Sequence, residues 1–118
     1  MISGIGVANI GHSHPDVISA VHEQVDSHMH LMVYGEFIQQ PQVQLCKLLV
    51  ENSPEDLNCV YITNSGTEAT EGALKLAKRV TLRSEIIAAK NSYHGNTMGS
   101  MSVSGVEKPF IPLSTISP

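Results

Sequence analysis

Between Cys59 and Lys90 the chain reads strand, tight turn, helix, strand, and no other stretch constrains its fold as strongly. Cys59-Val60-Tyr61-Ile62-Thr63 is a short β-rich run. Asn64-Ser65-Gly66 has turn chemistry. From Thr67 to about Arg79, helical spacing places Ala69, Ala73, Leu76, Ala77 and Val80 on one face, and Gly72 permits close packing. Glu85-Ile86-Ile87-Ala88-Ala89-Lys90 is apolar through its middle, as strands buried on both faces are. A strand, a helix and a second strand in one parallel sheet require a right-handed crossover. Two such strands do not make a viable sheet by themselves. The expected fold class is therefore α/β, a mostly parallel sheet with flanking helices, of which these 118 residues form an incomplete part.

Upstream, a Gly-rich opening ends in Gly11-His12-Ser13-His14-Pro15. Pro15 suits a first helical turn with Ser13 or His14 as its cap, and Val17, Ile18, Val21 and Val25 predict a helix over about 15–30. A second helix is expected from Pro41 to near Asn52, with Val43, Leu45, Leu48 and Leu49 on its apolar face. Ser53-Pro54-Glu55-Asp56 reads as a turn, and Thr97 to Val103 as a short helix. Cys46, in an apolar helical run, and Cys59, opening a strand, read as buried thiols.

Composition excludes several functions. A net charge of −4, with seven scattered Lys and Arg, makes no stripe for nucleic acid or a membrane surface. No run approaches the roughly 18 apolar residues of a membrane span, and no signal peptide precedes the globular pattern, so a cytoplasmic setting is expected. His12-x-His14 and His28-x-His30 lack the further ligands of a zinc spacing, and structural roles are expected for them, with no metal.

The chemistry-bearing stretch is Asn64-Ser65-Gly66-Thr67-Glu68-Ala69, at the junction of a strand and a helix. Gly66 permits a sharp turn and close approach to a ligand. Ser65 and Thr67 add hydroxyl donors, and the free first-turn N–H groups of the helix favour an anion such as phosphate. The same residues also make an ordinary helix cap, with Glu68 and Glu71 as helix-start carboxylates. The stretch alone does not separate the two readings. It is neither a P-loop nor a dinucleotide fingerprint. Tyr93-His94-Gly95 follows the second expected strand, where an aromatic side chain could cover a planar ring whose phosphate sits at Ser65–Thr67; taken alone, Tyr93 reads rather as a loop residue packed on its neighbours.

Taken in order, Ser3-Gly4-Ile5, Gly11-His12-Ser13-His14-Pro15, Asn64-Ser65-Gly66-Thr67-Glu68-Ala69, Ala73-Leu74-Lys75-Leu76-Ala77-Lys78-Arg79 and Tyr93-His94-Gly95 resemble the class III aminotransferases of the ornithine, acetylornithine and GABA type. The resemblance covers nearly the whole chain. It implies the fold-type-I large domain of an enzyme dependent on pyridoxal 5'-phosphate (PLP), with residues 1–5 ending an N-terminal segment and 6–118 opening the large domain, truncated at both ends. It implies that Ser65, Gly66 and Thr67 hold the cofactor's phosphate and that Tyr93, followed by His94, stacks on its ring. Ile5 matches a position at the edge of the substrate pocket. The reaction implied is transfer of an amino group between an amine or amino acid and a 2-oxo acid, in a cytoplasmic homodimer.

The same resemblance places the Schiff-base lysine and the carboxylate that keeps the pyridine nitrogen protonated on later strands. This chain is therefore expected to carry no catalytic residue and to be inactive alone. The ornithine, acetylornithine and GABA types carry Arg directly after the aromatic-x-Gly, where it grips a substrate carboxylate; here that position is Asn96. The competing readings are a stand-alone phosphate- or anion-binding α/β module without catalysis, and a related PLP-dependent aminomutase or decarboxylase.

Overall fold

The computed structural model describes residues 6–32 and 35–105. The chain divides into two units, residues 1–59 and 60–118. The first holds α1 (Pro15–Ser27) and α2 (Gln40–Glu51). The second holds α3 (Gly66–Thr81) and α4 (Met98–Ser102).

α1 begins where Pro15 fixes a helical φ, and its cap is His14, whose Nδ1 accepts the Asp16 N–H at 3.3 Å. Ser13, the other candidate, instead takes a left-handed φ of 56°. The helix stops three residues short of the expected end because His28 is extended, although its N–H still reaches the Gln24 carbonyl at 2.9 Å. The Gln24 side-chain amide closes the end by donating to the His28 carbonyl at 3.0 Å. Val17, Ile18, Val21 and Val25 form the stripe that the sequence predicts, yet each is 44–54% exposed. α2 matches its expected span within one residue at each end, and Asn52 closes it through a side-chain bond to the Leu48 carbonyl.

α3 is capped at both ends. The Ser65 hydroxyl accepts the Glu68 N–H at 3.2 Å, and the Glu68 carboxylate accepts the Asn64 N–H at 2.7 Å, a variant of the reciprocal capping box. At the far end, Lys78 and Arg79 complement the helix dipole, and Leu82 turns the chain at a left-handed φ of 57°. Close packing at Gly72 is realised: a Cβ there would meet the Tyr61 ring at 3.3 Å.

The expected strands are not formed. Residues 57–63 and 82–89 carry no regular secondary structure, and no strand is present among the described residues. The physical reason is that a strand is defined by its ladder, and neither segment has a ladder partner among those residues. Ile87, expected to be buried on both faces of a sheet, is fully exposed. The thiols also differ from expectation: Cys59 is exposed and Cys46 only partly covered. Among the described residues the buried centre of the second unit is small, formed by Gly95, Ser100 and Val103.

Candidate functional site

The amino end of α3 and the loop before α4 border an open cleft of about 360 Å³ lined by Gly66, Thr67, Thr70, Tyr93, His94 and Gly95. Two segments, 66–70 and 93–95, separated by 22 residues of chain thus meet, as the paired motifs require if they serve one ligand. Ser65 caps the helix from outside this lining, and Asn96 is exposed and also stands outside it. Ile5 lies outside the described residues. Sequence reasoning missed Thr70. It sits one turn beyond Gly66, to whose carbonyl its hydroxyl donates at 2.9 Å, and that i to i−4 spacing was the available signal.

Three features set the chemistry of the cleft. First, the N–H groups of Gly66 and Thr67 lie in the first turn of α3, where no intrahelical acceptor exists, with the positive end of the helix dipole behind them. Second, Gly66 does not serve the sharp turn expected of it. It is the first residue of the helix, it is not among the residues with positive φ, and a Cβ there would meet no protein atom within 4 Å. Third, Tyr93 is 67% exposed at the cleft, its ring free to meet a ligand.

The loop is held tightly. Gly95, at φ 131°, is buried against Thr67 and Ser100. The His94 N–H donates to Ser104 Oγ at 3.0 Å, and Ser104 Oγ donates in turn to the Ser100 carbonyl at 2.9 Å. Backbone bonds of 2.9 Å join Asn91 N to the Gly105 carbonyl and Gly105 N to the Ser92 carbonyl, closing the base of the loop.

Glu71 does not act as a helix-start carboxylate. Its Oε1 accepts the Thr97 hydroxyl, the Gly99 N–H at 2.8 Å and the Ser100 N–H at 3.0 Å. The Thr97 hydroxyl, the Ser100 and Gly99 N–H groups and the Lys75 ammonium hold its carboxyl below the ordinary value of 4.5, against an opposing effect of burial. The sequence signal was weak, because nothing in a single sequence pairs Glu71 with a helix 27 residues downstream. Among the described residues no three His, Cys, Asp or Glu side chains gather as a metal set, and no helix is long and apolar enough to cross a membrane.

Comparison with known proteins agrees with the motif order. The family model described as aminotransferase class-III matches residues 1–114. The acetylornithine aminotransferase of Methanopyrus kandleri is 40% identical over 116 residues, covering 96% of this chain and 29% of that protein. That of Methanothermobacter thermautotrophicus is 44% identical over 114 residues, covering 94% and 28%. A different member, aminotransferase PigE of a Serratia species, is 37% identical over 108 residues, covering 92% and 13%. The chain spans less than a third of the length of these relatives. It belongs to the class-III aminotransferase family.

Proposed function

We propose that these residues form the phosphate-holding part of a PLP site, in a protein that transfers an amino group between an amine or amino acid and a 2-oxo acid. The observation that carries the reading is Gly66. The fold gives no reason for glycine there, since neither its backbone nor its surroundings exclude a side chain. Close approach of a ligand to the helix N–H groups supplies that reason.

PLP, when bound, supplies the electron sink for amino-group transfer. The chain's own residues bind and orient. The N–H groups of Gly66 and Thr67 and the Thr67 hydroxyl are the donors for a phosphate dianion. The Ser65 hydroxyl, which accepts from Glu68 N, keeps its proton to donate. Tyr93 covers one face of the ring, and His94 with Thr70 narrows the cleft and excludes water. None of the described lysines lines it, so in this reading the Schiff-base lysine comes from outside these residues, and the 118-residue chain alone is inactive. In this reading segments 57–63 and 83–89, which carry no regular secondary structure here, take their places in a fold-type-I parallel sheet when their partners are present. The whole protein in this reading is a cytoplasmic homodimer with no nucleic-acid or membrane partner.

The donor is left at the level of an amine or amino acid. Asn96 brings no charge to the position where the acetylornithine type carries Arg, so the names of the relatives do not transfer as a substrate. The test is PLP retention in the full-length protein, followed by absorbance during dialysis. Thr67→Ala and Gly66→Val are each expected to weaken it about tenfold or more, the equivalent of losing one charge-assisted hydrogen bond. Unchanged affinity in both variants overturns the assignment.

A further inference from the structure

We infer that Glu71 is the positioning residue of this site: from the second turn of α3 it anchors α4, and through α4 it holds the Tyr93-His94-Gly95 loop over the amino end of its own helix. The inference rests on the reading of the cleft as a cofactor site, since the loop's placement matters only to a ligand lying there.

The connection can be followed atom by atom. One oxygen, Glu71 Oε1, accepts the Gly99 and Ser100 N–H groups and the Thr97 hydroxyl. A side chain at Gly99 is incompatible with this contact, because its Cβ would lie 2.8 Å from Glu71 Cδ. Ser100, so held, is wholly buried, and its Oγ accepts the Thr97 N–H at 3.1 Å. That hydroxyl is also the surface on which Gly95 rests, at 2.8 Å from where a Gly95 Cβ would be. The carboxyl end of α4 completes the path: the Ser100 carbonyl accepts from Ser104 Oγ, which accepts the His94 N–H. Both sides of the loop therefore depend on where α4 sits, and Glu71 is the side chain that fixes α4 to α3. A carboxylate suits the task because hydrogen bonds to a charged acceptor are the strong ones. Thr67 and Glu71, four residues apart on one helix face, thus address the same loop from two levels.

The test uses the full-length protein in two arms. In the first, hydrogen exchange is followed without cofactor. Glu71→Leu keeps the bulk and loses the acceptor, and is expected to speed exchange across residues 93–100 about tenfold or more while 66–81 stays protected. Glu71→Gln keeps an accepting oxygen and is expected to stay within about threefold of the parent. Should Glu71→Leu fail to fold, Gly99→Ala, which displaces the carboxylate and leaves α3 unaltered, is expected to give the same exchange pattern. Unchanged exchange at 93–95, or a Gln variant as fast as Leu, overturns the inference. In the second arm, circular dichroism in the PLP absorption band is read where parent and variant are both fully folded. Glu71→Leu is expected to lose at least half of the signal and Glu71→Gln to keep it; full retention in Leu overturns the inference. If the parent takes up no PLP, the proposed function fails while the exchange arm still decides the role of Glu71.

Discussion

Gly95 is packed directly on Thr67: a Cβ on Gly95 would lie 2.8 Å from the Thr67 Cβ. The contact joins the two motifs that matter, the turn at the start of α3 and the aromatic loop. It also couples two constraints at one residue, since Gly95 combines this approach with a φ of 131° that side chains rarely adopt. Gly95→Ala is expected to destabilise the full-length protein by about 2 kcal/mol or more, from strain and overlap together. The denaturant midpoint measures it, and a loss below about 0.5 kcal/mol, the level of an ordinary surface change, contradicts the packing.

Gly66 is the contrasting case. Its surroundings are empty and its backbone is helical, so Gly66→Ala is expected to leave stability unchanged or raise it by up to about 1 kcal/mol. PLP affinity is expected to fall about tenfold. A melt with and without PLP separates the two effects. If affinity and stability both hold, the glycine is not there for a ligand.

Glu71 defines a pH dependence. Its carboxyl is held low by the Thr97 hydroxyl, then by the Ser100 and Gly99 N–H groups and the Lys75 charge. A carboxyl with a depressed folded-state pKa stabilises fully above its unfolded value, and that contribution disappears as pH falls through the folded value. The α3–α4 anchor is therefore expected to be intact at neutral pH and to loosen only below 4.5. Carboxyl-carbon NMR of Glu71 measures this directly, and a midpoint at or above 4.5 contradicts it.

Leu82 ends α3 in the left-handed region while its side chain is 89% exposed. With little packing to lose, Leu82→Gly is expected to stabilise the protein by roughly 0.5–1 kcal/mol by removing Cβ strain. A thermal melt of the full-length protein shows it as a rise in midpoint; a fall means that Leu82 is covered in the complete protein.

Asn96→Arg tests the substrate side. If position 96 faces the substrate, an added guanidinium is expected to improve turnover of amines that carry a carboxylate, with little change for those that lack one. Equal effects on both classes place Asn96 away from the substrate.

The helices were legible in the sequence because each carries its own signals: Pro15 after His14, the apolar spacing of α2, and Ser65 with Glu68 at the head of α3. Thr67 and Tyr93 line one cleft, although the parallel strands from which their nearness was expected are not formed among the described residues. Segments 59–63 and 85–90 read as strands, yet a strand needs a neighbour to donate to and accept from, and local composition cannot provide one. Ser65 caps α3, one of the two uses that the same residues allow. The role of Glu71 was hidden for a different reason. Its partners are two backbone N–H groups and one hydroxyl, and any sequence that returns α4 to that point offers the same donors. The sequence by itself determined the helices, their caps and the residue types available to bind a phosphate. Only the tertiary structure decided which of them converge, because convergence depends on one buried hydroxyl, one carboxylate oxygen and two glycines without side chains to keep the loop away.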